Sequence, residues 1–280
     1  MQPLKDLEIG VMFWAGRDPA ETVREVKGLG VRCGQLAIPG DLSLDAETTN
    51  AWKRALADEE FRVNTVFAAY YGESYADIAA VQDTVGFIPK GTREEREERT
   101  YAVSDLAGAL GAPGIATHIG FVPEDRDDPD YSEVRAMVRR VCDHAAEHNQ
   151  TFALETGQEP AKVLLGFLQD VDRPNLRINF DPANMILYGT GDPIEALDVL
   201  GPFVISVHAK DGDWPPKNPP GLLGTERPFG KGAVGVERFV AKLKQIGYTG
   251  TVNVEREIED HQQRLRDIRS AVSILERLRG

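Results

Sequence analysis

Four short segments each end a run of alternating apolar residues with a side chain that binds divalent metal: FALE at 152–155, INFD at 178–181, ISVH at 205–208 and VNVE at 252–255. Side chains of an extended strand alternate between faces, so the first and third residues of each segment share one face and the fourth takes the other. Phe152 and Leu154, Ile178 and Phe180, Ile205 and Val207, and Val252 and Val254 then point one way, and Glu155, Asp181, His208 and Glu255 all point the other. Their same-face neighbours, Ala153, Asn179, Ser206 and Asn253, are small or polar, as the mouth of a hydrated cavity tolerates. Three carboxylates brought together away from water repel one another and lose hydration, at a cost of several kcal/mol per ion. A divalent cation removes that conflict. One imidazole among three carboxylates is an oxygen-rich set that favours Mn²⁺ or Mg²⁺, although Co²⁺ and Zn²⁺ also accept it.

Other side chains are placed by the same alternation. His118 ends IATH (115–118) on the inward face, where it contacts substrate, supports a second metal, or packs as a satisfied ring. Lys210 shares the parity of His208, which suits it either to neutralise developing oxyanion charge or to pair with Asp211 or another carboxylate. Trp14 and Trp214 are read as sugar platforms or as packing residues. His144, His148 and His261 fall on helical stretches and are expected at the surface. GTGDP (189–193) is a Gly-rich turn opening a helix, with Asp192 as N-cap and Pro193 in the first turn.

Positioning four such groups requires a repeating scaffold. Strand-like runs occur at 8–15, 33–39, 62–70, 114–120, 151–157, 176–183, 204–211 and 250–256, alternating with amphipathic stretches at 19–30, 45–59, 92–111, 131–148, 160–171, 193–201, 236–247 and 262–279. Eight such units predict a (β/α)₈ TIM barrel formed as one domain over 1–280, a length near the ~250 residues usual for that fold. Gly30, Gly111 and Gly247 sit where a left-handed residue stops a helix. The long connections 71–91 and 212–235 both follow strands, on the face where barrels carry their chemistry. The second is rich in Pro and Gly and reads as an ordered rim.

Bulk properties exclude several classes. A net charge of −13 disfavours binding to nucleic-acid phosphates. No run approaches the ~20 apolar residues of a membrane span, and MQPLKDLEIGVMFWAG lacks the pattern of a secretory leader. The only cysteines, Cys33 and Cys142, suggest neither a disulfide framework nor a thiolate metal site, so a cytoplasmic protein is expected. The mixed-charge run REEREER (93–99) reads as a solvated helix face.

LETGQEP (154–160), NFDPAN (179–184), VHAKDGD (207–213), GTERPFGKG (224–232) and NVERE (253–257) together resemble the sugar phosphate isomerase/epimerase family of xylose-isomerase-like barrels, over nearly the whole chain. The resemblance implies one divalent ion on Glu155, Asp181, His208 and Glu255, with the two glutamates also moving a proton at the substrate carbon. It implies a polyhydroxylated sugar substrate, isomerised or epimerised through an enediolate, with elimination by a lyase as the alternative outcome. It also implies a homodimer or homotetramer. Asn184 stands where the ketose 3-epimerases carry histidine, and Lys231 interrupts their Gly-Glu-Gly. Arg227 resembles their substrate-contacting loop arginine. The related apurinic-site endonucleases need further ligands after the seventh strand, whereas this chain has no histidine between 209 and 260. A non-catalytic sugar- or metal-binding protein is a further reading.

Overall fold

Runs of Val, Ile, Phe and Ala flanked by turns make the eight barrel strands, because parallel strands buried on both faces need apolar side chains nearly throughout. In the computed structural model, which describes residues 7–279, these are β1 (Glu8–Trp14), β2 (Cys33–Ile38), β3 (Arg62–Ala68), β4 (Gly114–Thr117), β5 (Thr151–Glu155), β6 (Leu176–Phe180), β7 (Val204–Ala209) and β10 (Thr251–Val254). They pair in parallel in chain order, and β10 closes the barrel against β1. A short antiparallel ribbon, β8 (Asp211–Asp213) with β9 (Thr225–Arg227), follows the seventh barrel strand. The helices are α1 (Pro19–Lys27), α2 (Ala46–Asp58), α3 (Ile78–Thr84), α4 (Arg93–Leu110), α5 (Pro129–Glu147), α6 (Ala161–Val171), α7 (Pro182–Tyr188), α8 (Pro193–Leu200), α9 (Val236–Gln245) and α10 (His261–Arg279). The chain is the expected (β/α)₈ barrel. The expected leader-free start falls partly on residues 1–6, outside the described residues.

The strand parity separates two cores. Phe152, Leu154, Ile178, Phe180, Val207, Val252 and Val254 pack outward against the helices, while Met12, Ala37, Phe67, Ala116 and Ala153 fill the barrel interior. Ile205 departs from the expected outward set and packs against the inner cluster. A register shift between β6 and β7 pairs Ile178 with Val204 but Asn179 with Ser206, leaving Ile205 as an extra residue in the ladder. Such a bulge turns one side chain while the parity resumes beyond it, so Ser206 and His208 remain inward.

Both long loops are ordered, the second as expected. The connection after β3 holds α3, capped by the Asp77 carboxylate on Ala80 N. It is pinned by the run read as a solvated face, which is a correction. Arg96 is buried, donates to the Gly86 carbonyl at 2.5 Å and lies over the Tyr70 ring. Arg93 donates to the Phe87 and Ile88 carbonyls, each at 2.7 Å. Arg93, Arg96 and Thr100 share one helix face at spacings of three and four, and guanidinium groups satisfy the loop carbonyls that this face meets. In the second loop, Asp211 accepts the backbone N–H groups of Gly212, Gly230, Gly232 and Val234. A Cβ on Gly232 would fall 2.4 Å from Asp211 Oδ1, so a glycine there lets the backbone reach the carboxylate.

The strand expected over 176–183 stops at Phe180, because Asp181 and Pro182 begin α7. Asp192 caps α8 as expected, accepting from Ile194 N and Glu195 N. Both cysteines are free and buried. Among the described residues, no helix is long and apolar enough to cross a membrane.

Candidate active site

At the C-terminal end of the strands the four candidate ligands meet. One ligand atom from each of Glu155, Asp181, His208 and Glu255 lies within 4.8 Å of the others, and all four side chains are buried. Glu155 ends β5 and His208 lies in β7, whereas Asp181 and Glu255 sit one residue beyond β6 and β10. His208 Nδ1 is 2.9 Å from Glu155 Oε1, 2.8 Å from Glu255 Oε2 and 3.5 Å from Asp181 Oδ2.

Asp181 divides its two oxygens between tasks. Oδ1 accepts from Ala183 N at 2.7 Å and Asn184 N at 2.9 Å, capping α7, while Oδ2 is buried with no hydrogen-bond partner. Glu255 Oε2 likewise makes no hydrogen bond, with His208 Nδ1 at 2.8 Å and Lys210 Nζ at 3.3 Å as its charged neighbours. Two buried carboxylate oxygens that face one centre without a hydrogen bond, offset only by the nearby His208 and Lys210, are a costly arrangement that a divalent cation relieves. The residues present therefore fit such an ion, with Glu155, Asp181, His208 and Glu255 as its ligands.

Electrostatics agree with a cation-seeking site. Burial pushes the Glu155 carboxyl up, against the pull of His118 and His208. Burial also opposes ionisation of Asp181 and Glu255, but Lys210 and His208 hold both carboxyls below their ordinary values. Burial disfavours the His208 imidazolium, yet Glu255 and Glu155 outweigh it and push this group well above its ordinary value. Without an ion, the carboxylates recruit a proton onto His208 as partial compensation.

The tautomer suited to metal binding is fixed from across the barrel. His208 Nε2 lies 2.5 Å from the Gln35 Oε1 acceptor, and the Gln35 amide donates to Asn179 Oδ1 at 2.9 Å and Ser206 Oγ at 2.7 Å. With Nε2–H donated to Gln35, the proton that the carboxylates recruit sits on Nδ1, and its loss would leave the Nδ1 lone pair for an ion. Gln35 was missed by the sequence reading, although a fully buried glutamine in the apolar run CGQLAI was the available signal. We expect Gln35→Leu to weaken divalent-metal affinity roughly 10–100-fold, the usual cost of losing an orienting partner, with activity recovered at saturating metal. An unchanged dissociation constant by calorimetric titration would refute this role.

A cavity of about 580 Å³ opens onto the cluster. His118, Asn184, Lys210, Glu155 and Glu255 line it, with Trp14, Phe67, Tyr75 and Tyr188 as aromatic wall. His118 Nε2 is 3.1 Å from Glu155 Oε2, and its Nδ1 is 3.0 Å from the Gln158 amide, a second missed residue. Asn184 Nδ2 donates to Glu155 Oε1 at 3.3 Å. Lys210 Nζ lies 2.7 Å from Glu257 Oε2 and 3.3 Å from Glu255 Oε2. These are the other carboxylates that the sequence allowed as its partners, and Asp211 organises the loop. Arg227 is not brought to the cavity; it is exposed and pairs with Asp213 at 2.6 Å across the β8–β9 ribbon, while its neighbour Glu226 lines the wall. Ribbon side chains alternate faces, which sends Glu226 inward and Arg227 outward. Trp214 is exposed and outside the lining, and Phe13 packs in the outer core.

Comparison with known proteins agrees with this architecture. The chain belongs to the xylose isomerase-like TIM barrel family, whose profile matches residues 23–278. It is similar to a xylose isomerase domain protein from Planctomyces limnophilus, with 42% identity and a TM-score of 0.93 over 98% of this chain and 97% of that one. A D-tagatose 3-epimerase-like protein matches with 18% identity and a TM-score of 0.72 over 97% of each chain. A xylose isomerase-like TIM barrel protein from Mycobacterium smegmatis, solved with magnesium, matches with 18% identity and a TM-score of 0.71 over 100% of this chain and 98% of that one. At 18% identity these two share the fold. The 3-dehydroshikimate dehydratase of Bacillus anthracis is 24% identical over 169 residues, 59% of this chain and 55% of that protein. The chain spans about half the length of the curated relatives it matches.

Proposed function

We propose that this protein is a divalent-metal-dependent sugar isomerase or epimerase that moves a proton at the carbon beside a keto group. The observation that carries the reading is the pairing of Glu155 and Glu255, which reach one cavity from β5 and from just beyond β10, with His208 Nδ1 within 3 Å of both. Mn²⁺ or Mg²⁺ on Glu155, Asp181, His208 and Glu255 would polarise the substrate carbonyl and acidify its α C–H. Glu155 is the stronger candidate for the first proton transfer, because it lines the cavity with its oxygens held by His118 and Asn184. His118 and Gln158 form a hydrogen-bonded chain behind it that holds Glu155 Oε2 in place. Glu255 would return a proton drawn from the Lys210 ammonium, 3.3 Å from its Oε2, with Lys210 then reprotonated from solvent and Glu155 releasing to solvent the proton it took. Return to the same carbon from the other face gives an epimer, and return to the neighbouring carbon gives an isomer.

Elimination is the second reading. It is favoured by Lys210, a buried cation lining the cavity that suits it to protonate a departing hydroxyl, and by the similarity to the dehydratase. Incubation of the metal-loaded protein with keto-sugars and inososes in deuterated water separates the two. Solvent deuterium retained at an α-carbon with no change in composition supports proton transfer, and loss of water supports elimination. Neither exchange nor loss of water with any of these substrates would overturn both.

The cavity also selects by charge. Glu73, Glu155, Glu226, Glu255 and Glu257 line it, a charge that Lys210 and one divalent ion would offset only in part, and the exposed Arg227 is outside. The substrate is therefore an unphosphorylated sugar or polyol, with the aromatic wall meeting its apolar face. We expect the free sugar to exceed its phosphate ester at least about tenfold in kcat/KM, the effect of about 1.4 kcal/mol. Equal or better use of the ester would contradict the charge argument.

A further inference from the structure

We propose a second, peripheral metal site on the outer layer of helices, formed by Asp105 of α4 with His144 and His148 of α5 and its C-cap, which binds a borderline divalent transition ion such as Zn²⁺. It goes beyond the barrel site and does not depend on it. His144 and His148 are one helical turn apart, so their rings project from the same side. Both Nε2 atoms converge on one oxygen, Asp105 Oδ1, at 2.8 and 2.9 Å. One ligand atom from each of the three side chains lies within 4.8 Å of the others, so a single ion placed among them is within reach of all three. Ligand atoms about 2.0–2.2 Å from a tetrahedral ion stand roughly 3.3–3.6 Å apart, so a small rotation of the partly exposed side chains away from their 2.8 and 2.9 Å contacts admits the ion.

The surroundings hold the rings and leave the anion for a metal. The Tyr101 ring stacks on His144, with centroids 4.5 Å apart, and its hydroxyl donates to Glu97, which also takes both arms of Arg140. That cation is therefore engaged, and among the described residues no lysine or arginine lies within 4.0 Å of an Asp105 oxygen. Asp105 is 60% exposed and the histidines 24% and 35%, so solvent can complete the coordination shell. Two imidazoles and one carboxylate form a nitrogen-rich set suited to Zn²⁺, Ni²⁺ or Cu²⁺, in contrast to the single imidazole among three carboxylates in the barrel. The helices run back toward the strand starts, so these residues of the C-terminal halves of α4 and α5 lie toward the end opposite the catalytic mouth. A bound ion would tie α4 to α5 without touching substrate.

Calorimetric titration of the chelated full-length protein with Zn²⁺ tests the site. His144→Gln/His148→Gln is expected to bind one equivalent fewer than the parent, to lose part of the Zn²⁺-induced rise in melting temperature and to keep the parental turnover. Asp105→Asn, which preserves shape and a hydrogen-bond acceptor, is expected to weaken that equivalent at least tenfold. Loss of the equivalent in an Asp181→Asn/Glu255→Gln protein instead, with the histidine variant unchanged, would assign all binding to the barrel. Equal stoichiometry in parent and histidine variant would overturn the site and leave a hydrogen-bonded helix clamp only.

Discussion

Stripping the protein with a chelator is expected to abolish turnover and lower its melting temperature by about 5 °C relative to protein held at 100 times the dissociation constant of Mn²⁺. Binding at that excess contributes about 2.7 kcal/mol, and a chain of this length converts each kcal/mol into roughly 2 °C. The loss follows from the site's own composition, in which Asp181 Oδ2 and Glu255 Oε2 are buried without hydrogen-bond partners. Protonation of His208, whose Nδ1 lies among the carboxylates, relieves the stripped site only in part. The ion must displace that proton, so apparent affinity should rise with pH below the raised His208 value, by up to about tenfold per unit for one released proton. Asp181→Asn is the corresponding substitution. It retains an oxygen to cap α7 but removes the charge at Oδ2, and should lower metal affinity by more than about 100-fold with little change in the metal-free melting temperature. A pH-independent affinity, or Asp181→Asn protein with parental affinity, would remove the basis of the four-ligand account.

The second large effect concerns the two glutamates. Glu155→Gln and Glu255→Gln should each reduce conversion about 10²–10⁴-fold, the range of a positioned acid or base, while substrate affinity changes far less. If the two act on opposite faces of one carbon, each variant still exchanges the α-hydrogen of one epimer with solvent deuterium yet does not complete the conversion. NMR of the recovered sugars distinguishes this pattern from general damage, which would slow both exchanges together. Because both residues are also proposed ligands, metal content is measured alongside, and saturating Mn²⁺ should not restore conversion. Recovery of parental turnover at high metal would reduce the glutamates to ligands.

The alternation of side chains carried most of this structure into the sequence. Glu155, Asp181, His208 and Glu255 were legible as a cluster because parity on successive strands is a short-range property that barrel closure converts into proximity. It survived the bulge at Ile205 because an extra residue disturbs the ladder only locally. Contacts that cross the barrel were not legible. Gln35 meets His208 from 173 positions away, and no local period announces such a pairing. Arg96 failed for a related reason, since its charge suggested solvent while its partners were carbonyls of a loop folded by other forces. Arg227 was assigned by loop resemblance, and a two-stranded ribbon with its own alternation turned it outward and Glu226 inward.

Anomalous scattering from crystals grown with Mn²⁺ tests the central claim most directly. The account predicts one strong peak at the mouth of the barrel within about 2.0–2.4 Å of oxygens of Glu155, Asp181 and Glu255 and of His208 Nδ1, with Nε2 still donated to Gln35. Absence of a peak among these four side chains at saturating Mn²⁺, with the carboxylates instead protonated or turned away, would contradict it.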